Sequence, residues 1–229
     1  MKIEPDISGS SIVMVGDFNP AIFHPEWMFS HGVEDSVPDD QVNLDVCHRD
    51  VSRFLISDTA YYVDVDRFQI QTAVAPWVQI FDKASRVFGE LLTHTPIRAL
   101  GINRDIHFKV PTVETRTRIG RTLAPIGPWG AFGDEMEADD PSKVGGLVSL
   151  AMRSVSERDG YALTKNVKVE PSAQLKGNTG IYMQVNFHFM LTEPKAAEGS
   201  KRAMEVLRDE FEPTMSESEI IFNSIMELA

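Results

Sequence analysis

Hydrophobic and polar residues alternate along most of the chain, which predicts a protein built mainly from β-strands. Between residues 42 and 74 the period is close to two, so several antiparallel strands are expected there. The phase of this alternation changes at Asp66 and Arg67, which predicts a tight turn or a bulge. The clearest single strand is expected at 98–110. Three more alternating runs predict a meander at 147–156, 162–170 and 180–192.

Three segments instead repeat their apolar residues at intervals of three and four, the spacing of amphipathic helices. The segment 76–92 begins with a proline, and the segments 200–211 and 216–228 follow the last strand. Together with the alternating runs they predict an α+β fold, in which antiparallel sheet carries amphipathic helices packed on one face. The expected core residues are Val78, Phe81, Phe88, Leu91, Val185, Phe187, Phe189, Val206, Leu207, Phe222 and Ile225.

The 229 residues are predicted to form a single domain, 1–229. One interpretation of the pattern is that this domain consists of two similar halves. Two aromatic-rich strands, at 61–72 and 182–192, each lead into a long amphipathic helix. A loop rich in proline, glycine and acids at 125–140 separates the two halves, which would then be 1–124 and 141–229.

Charge and composition restrict the classes of partner. The formal net charge of −12 and the pI near 4.9 argue against a protein whose whole surface binds nucleic acid. Cys47 is the one cysteine, so no intrachain disulfide can form, and no window approaches the roughly 18 apolar residues of a membrane span. The first residues also lack the basic and apolar regions of a signal peptide. We therefore expect a cytoplasmic protein with no membrane partner.

The candidate catalytic residues are few, because no nucleophile elbow and no phosphate-binding loop occurs in the sequence. His107 and His188, with Asp105, fall on the polar sides of two predicted strands. If those strands are neighbours, imidazole, amide and carboxylate groups would line a cleft suited to acid–base chemistry. The alternative is a solvated face of the sheet. We expect no metal and no cofactor, since Cys47 has no second cysteine to complete a usual zinc pattern.

A local excess of cations predicts a binding surface. Between residues 98 and 121 there are six cations against two acids, and a short helix is expected at 112–123. An acidic run at 134–140 follows, but Pro125 and Pro128 make it hard for that loop to fold straight back. A contact with another subunit or partner is therefore expected, with charges that pair inside one molecule as the alternative. The binding residues so predicted are Arg104, Arg116, Arg118 and Arg121.

The run 16–27, the strand and helix that end at Leu92, and the run 100–104 together resemble a sporadically distributed family of uncharacterised bacterial proteins. The resemblance covers most of the chain. It implies an α+β fold and a bacterial or mobile-element source, and it carries over no active site.

These observations predict a non-enzymatic binding or assembly protein of a bacterial system, such as a defence or toxin-immunity pair. Its partner would be another protein or a second copy of the chain, as in a homo-oligomer. The alternative is an enzyme or sensor for a small anionic or nucleotide-like ligand, with Arg104 and His107 on one strand. Strand alternation, however, puts these two side chains on opposite faces. Nucleic-acid binding through residues 98–121 would require interleaved aromatic residues, which that segment lacks.

Overall fold

The computed structural model describes residues 4–138, 144–192 and 198–229. Within them the chain forms one large antiparallel sheet of nine strands together with five α-helices, which confirms the α+β class. The strands are β1 (Ile7–Gly16), β2 (Val42–Cys47), β3 (Val51–Ile56), β4 (Thr59–Asp64), β5 (Arg67–Thr72), β6 (Ile97–Lys109), β7 (Leu150–Arg158), β8 (Tyr161–Pro171) and β9 (Gly180–Leu191). The helices are α1 (Pro25–Ser30), α2 (Val78–Ser85), α3 (Val113–Leu123), α4 (Ala131–Asp134) and α5 (Lys201–Met226).

The order of the strands across the sheet is β2-β3-β4-β5-β1-β6-β9-β8-β7. β1 and β6 lie together at the centre, and each begins a similar series: a strand, a helical connection, a meander and a closing helix. We call β2, β3, β4, β5 and β1 with the helices α1 and α2 the first half of the sheet, and β6, β9, β8 and β7 with the helices α3 to α5 the second half. The sequence-based halves, 1–124 and 141–229, stay a prediction; they differ from this grouping in the place of β6 and α3.

The strand register assigns every side chain of the sheet to one of two faces. Ile12 of β1 lies between Ile70 of β5 and Ile102 of β6, and Ile102 in turn opposes Phe187 of β9. We call the face that bears these apolar residues the inner face and the opposite one the open face. Side chains of α5 contact the inner face, where Met215 lies 4.0 Å from the hydroxyl of Ser10.

Packing in the first half depends on a cluster of aromatic rings. Phe68 of β5 lies at the centre, with ring centroids 4.8 Å from Phe88 and 5.5 Å from Phe23. Phe88 belongs to a π-helical turn, Arg86–Leu91, that extends α2, so the helix predicted at 76–92 is present in its main part. Val78, expected in the core, is 40% exposed. The first buried position of the helix is Ile80, since Val78 lies in its opening turn.

The carboxy-terminal helices predicted at 200–211 and 216–228 are one continuous helix, α5. Pro213 lies inside it on the exposed side, where the carbonyl that loses its backbone partner can bond to water. The buried stripe passes the proline without a break, through Phe211, Met215 and Phe222. Burial of this stripe outweighs the break that the sequence pattern predicted between residues 211 and 216.

The connecting segments match the sequence expectations in part. A turn between β4 and β5 produces the predicted change of phase at Asp66 and Arg67. The loop predicted at 125–140 contains a 3₁₀ turn, Gly127–Trp129, as well as α4, while its last two residues lie outside the described ones. None of the helices in the described parts of the chain is both long and apolar enough to cross a membrane.

Candidate functional site

One row of polar side chains crosses the open face of the second half. Antiparallel register aligns Ser11 of β1 with Asn103 of β6, Asn186 of β9, Asn166 of β8 and Arg153 of β7. All five belong to the alternate positions that face away from the buried core. We call this set the polar row.

Hydrogen bonds join the members of the polar row in a single direction. Arg153 Nε donates to Asn166 Oδ1 at 2.8 Å, and Asn166 Nδ2 donates to Asn186 Oδ1 at 3.2 Å. Asn186 Nδ2 then donates to Asn103 Oδ1, and Asn103 Nδ2 donates to Ser11 Oγ at 3.0 Å. Each amide has one further N–H and one further lone pair beyond these bonds, and the aligned amides polarise one another. The row therefore presents donors and acceptors in a fixed order.

An ionisable cluster lies beside the polar row, nearer the amino end of β1. Asp105 faces Gly9, where an added Cβ would lie only 2.9 Å from Asp105 Oδ1, so the missing side chain makes room for the carboxylate. Burial raises the pKa of Asp105, and the neighbouring His107 and Arg104 oppose that rise. Burial, followed by the charges of Asp105 and Glu170, raises the pKa of Tyr182 to about 12. Burial therefore favours the protonated forms of both groups.

His107 is almost fully buried in this cluster, under the loop that follows β8. Its Nδ1 lies 2.8 Å from the hydroxyl of Ser172, and its ring centroid lies 4.7 Å from that of Tyr182. The Ser172 oxygen also accepts hydrogen bonds from the backbone N–H groups of Gln174 and Leu175. Burial lowers the pKa of His107, although the Asp105 charge opposes this. The neutral imidazole therefore helps to hold the loop in place.

The two histidines singled out in the sequence are on neighbouring strands, β6 and β9, as the cleft hypothesis required. They are nevertheless far apart, because His107 opposes Tyr182 whereas His188 opposes Gly101. The offset of six residues corresponds to about 20 Å along the strands. No single acid–base site can contain both. The amide and carboxylate side chains between them are those of the polar row and its neighbour Asp105.

Two adjoining grooves lie on the open face of the first half and at its junction with the second. One has a volume of about 350 Å³ and the other about 390 Å³, and both are bordered by Leu55, Ala60 and Gln71. The second groove also reaches Ser11 and Asp105, so it is continuous with the polar row and the ionisable cluster. These volumes are large enough for a small ligand or an extended side chain of a partner.

The open face carries balanced charge although the protein is strongly acidic. By register, and for Asp45 by its ion pair with Arg53, its strand positions include five cations and five acids, against a net charge of −12 for the chain. The excess negative charge therefore lies elsewhere on the molecule. The cations are Arg53, Arg67, Lys109, Arg153 and Lys168, and the acids are Asp45, Asp64, Asp105, Glu157 and Glu170.

Arg104, predicted to bind a ligand, is directed to the inner face and is only 2% exposed. Its guanidinium donates to the Ser8 hydroxyl at 3.1 Å, to the Gly9 carbonyl at 2.5 Å and to Glu219 at 2.7 Å. It also lies 4.3 Å from the centre of the Trp77 ring. These contacts connect β6 to β1 and α5. Arg104 thus has a structural position inside the protein, and it is on the face opposite to His107, as strand alternation predicted.

The three other predicted binding arginines lie on α3 but do not form one patch. Arg116 borders a groove of about 270 Å³, and Arg118 and Arg121 border another of about 590 Å³. Arg118 donates to the carbonyl oxygens of the last two residues, and Arg121 pairs with Glu137 at 2.8 Å. One residue of the acidic run, Glu137, therefore does reach Arg121 within one molecule, although Pro125 and Pro128 were expected to make this return hard. A binding role for Arg116, Arg118 and Arg121 stays a prediction.

The sequence analysis predicted amide groups beside the histidines, which are those of Asn103 and Asn186, but it missed Asn166 and Arg153. A signal was present, since asparagine is depleted from strand interiors and yet occurs in the middle of β6, β8 and β9. The alignment of these residues depends on the register of three strand pairs. That register cannot be read from any one segment.

Comparison with known proteins adds no identity to this geometry. No protein-family model matches the chain, and no curated protein matches it either. Within the described residues, no group of three or more histidine, cysteine or acidic side chains is placed to hold a metal ion. The segment around Cys47 is an exposed edge of β2. The arrangement of the open face is therefore the basis for any statement about function.

Proposed function

We propose that this protein is a non-enzymatic binding component of a bacterial system and that it recognises a partner protein through the open face of its sheet. Helix α5 contacts β6 and β9 and helix α2 contacts β1 and β5, both on the side of the inner face, which leaves the open face for recognition. The observation that carries the proposal is the polar row, a series of hydrogen-bonding groups held in order across five strands.

The balanced charge of the open face supports a protein partner over nucleic acid. Binding to phosphates requires an excess of cations, whereas the open face has equal numbers of cations and acids. Protein interfaces are depleted of net charge at their centre and contain about one hydrogen bond per 100–200 Å². A row of partly unused amides meets that requirement. Such amides can form hydrogen bonds with backbone or side-chain groups of a partner, and no charged group has to lose its water for this.

The rigidity of the row is a second argument. Each asparagine is restrained by one hydrogen bond on either side, so little side-chain freedom is lost when a partner binds. The strands beneath it are bonded on both sides from β5 to β8. A preformed surface of this kind favours a partner that docks without large rearrangement.

The ionisable cluster favours a second candidate function, a sensor or enzyme for a small ligand. Asp105 borders the groove of about 390 Å³, and its raised pKa gives it a carboxyl group that can hold a proton. His107, however, is engaged by Ser172 and is 4% exposed. A small ligand would therefore contact Asp105 and Gln71 rather than the imidazole.

Site-specific photo-crosslinking in cells that naturally express the protein tests the main proposal. A photoreactive residue is placed at Thr164 on the open face, and the matched control carries it at Ile220, an exposed position of α5. We expect a discrete crosslinked protein from Thr164 but not from Ile220. Asn186→Ala in the Thr164 background should reduce that product at least several-fold, since it breaks the polar row at its centre.

The outcomes separate the candidates. A product identified as nucleic acid, or one equally abundant from both positions, would contradict recognition through the open face. A product that is insensitive to Asn186→Ala would show that the polar row is not used. The small-ligand candidate predicts no protein product and a rise in melting temperature with a nucleotide that Asp105→Asn abolishes.

A further inference from the structure

Among the residues that the structure describes, nothing pairs with the outer edge of β7, the last strand of the second half. In the described residues its one neighbour in the sheet is β8, to which all nine of its residues are paired in unbroken register. Eight of those nine residues are exposed, so neither face of β7 is covered. Met152 on one face is 62% exposed and Val155 on the other is 65% exposed. A long edge in unbroken register with exposed apolar residues on both faces favours the addition of another strand.

The opposite edge of the sheet, β2, shows how such an edge is usually protected. Its register with β3 is interrupted by an irregularity between Leu44 and Val46. Asp45 lies within that irregularity and pairs with Arg53 of β3, and an acidic segment precedes the strand. Bulges and charges on edge strands discourage pairing with other chains. β7 has an unbroken register and contains no proline and no lysine.

The two halves of the sheet also differ by one strand at this place. Counting outward from the centre, β1 is followed by β5, β4, β3 and β2, whereas β6 is followed by β9, β8 and β7. β7 thus occupies the position of β3, which is paired on both sides. The second half has room for an outer strand in the place that β2 fills in the first half.

We propose that the edge of β7 pairs antiparallel with β7 of a second copy of this chain, centred on Val155. In that register Val155 opposes its own counterpart, and Arg153 of each copy opposes Glu157 of the other. The two-fold axis produces this contact twice. Within the described residues neither Arg153 nor Glu157 forms an ion pair, and both lie on the open face.

Charge and geometry both favour a second copy as the partner. Two molecules of net charge −12 repel each other at most surfaces, but β7 carries two arginines and one glutamate. Arg153 uses Nε for Asn166, which leaves its two terminal nitrogens for the opposing carboxylate. A pair of strands of this length buries less than a standard interface, so the dimer should be weak and dependent on concentration. The pairing concerns the edge of the sheet and does not depend on the proposed use of the open face.

Charge reversal with exchange tests the register. Arg153→Glu and Glu157→Arg each place like charges opposite each other at two symmetric positions, so each variant alone should weaken dimerisation about tenfold or more. An equimolar mixture of the two variants restores opposite charges at both positions and should form a heterodimer. The double variant should dimerise like the wild type. Sedimentation velocity over a range of concentrations measures all four samples.

Arg208→Glu, which makes the same change of charge at an exposed position of α5, is the matched control and should dimerise as the wild type does. Circular dichroism checks that each variant is folded, which is expected because both β7 positions are exposed. A wild type that stays monomeric at all concentrations would overturn the proposal. So would single variants that dimerise normally, or a mixture that fails to form the heterodimer. None of these results decides the outcome of photo-crosslinking at Thr164, so the dimer and the use of the open face can fail separately.

Discussion

The two halves of the sheet have a similar order of strands and helices but are stabilised in different ways. In the first half, rings packed around Phe68 and a buried ion pair between Lys83 and Glu34 connect α2 to the sheet and to the segment after α1. In the second half, the long helix α5 covers β6 and β9, and its ion pair with Lys165 of β8 is partly exposed. The strand beyond, β7, is left uncovered.

This difference indicates a division of roles. Because dense aromatic packing and a satisfied buried charge both depend on fixed geometry, we expect the first half to be the more rigid part. The second half has the polar row on its open face and an edge strand, β7, that pairs with β8 alone among the described residues. Its interior is held by one helix, α5, whose ion pair with Lys165 is partly exposed and whose contact with Arg104 reaches a buried guanidinium. We therefore expect substitutions in the first half to affect stability and those at the outer strands of the second half to affect binding.

The largest expected effect is the loss of an aromatic ring at the centre of the first half. Phe68→Ala removes a fully buried ring that contacts four other aromatic rings, so it should lower the free energy of unfolding by about 4–5 kcal/mol. Phe189→Ala, equally buried but in contact with one aromatic ring, should cost about 3 kcal/mol. Urea denaturation of both variants gives the comparison. If both variants lost the same free energy of unfolding, the two halves of the sheet would not differ in packing as proposed.

The second expected effect concerns the two lysine–glutamate pairs. Glu34 has a side chain that is 8% exposed, and it also accepts a hydrogen bond from Tyr61 at 2.6 Å. Lys83→Met would leave this carboxylate buried without its cation, at a cost of about 3 kcal/mol. Lys165→Met leaves Glu217, which is 43% exposed, and should cost less than about 1 kcal/mol. Chemical denaturation at neutral pH measures both.

Glu34→Gln is the control for that comparison, because it removes the buried charge but keeps a hydrogen-bond acceptor for Tyr61. Combined with Lys83→Met, it should recover part of the lost stability. A Lys165→Met variant that is as unstable as Lys83→Met would show that exposure does not distinguish the two pairs.

The smallest expected effect is the dependence of stability on the protonation of His107. Burial lowers the pKa of this side chain in the folded protein, so below the usual value of about 6.5 the unfolded chain takes up the proton more readily. Stability should therefore fall as the pH decreases from about 6.5 to the lower folded value, and then this contribution should level off. The raised pKa of Asp105 acts in the opposite direction, because its folded form holds a proton at higher pH.

The difference between wild type and His107→Gln isolates the histidine from the carboxyl group. Thermal melts across the acidic range should show the variant losing less stability than the wild type as the pH falls. Parallel curves would mean that the imidazole can accept its proton without disturbing Ser172 and Tyr182.

Much of the fold was predictable because it depends on local periodicity. Alternation located β6 to within one residue at either end, since a half-buried strand requires apolar residues at every second position. The same reasoning failed at Pro213, where burial of a stripe that continues along α5 outweighs a local helix-breaking residue. Burial on the inner face was predicted correctly for Phe187 and Phe189 but not for Val78.

The candidate site was much less predictable, because it depends on contacts between distant segments. Arg104 was predicted to bind a ligand because it is a cation in an acidic protein. Its partners Gly9 and Glu219 are nearly a whole chain apart in sequence, and their hydrogen bonds keep its side chain in the protein interior. Asn166 was not predicted as a site residue, although it lies within the polar row, between Arg153 and Asn186. Composition and spacing identify residue types that are unusual in a segment. Register across the sheet decides which of them meet.

The guanidinium at the end of the polar row has a consequence for the orientation of every amide in it. An asparagine amide can rotate by half a turn and exchange its donor for its acceptor, so a row made of amides alone would have two equivalent arrangements. Arginine has no acceptor, and Arg153 therefore allows only the arrangement in which Asn166 receives and passes the donation on towards Ser11. The row has a fixed polarity because of one residue at the sheet's edge. If another contact broke the hydrogen bond from Arg153 Nε to Asn166, the amides of the row could rotate to the opposite arrangement. That change would extend from the edge of the sheet to its centre.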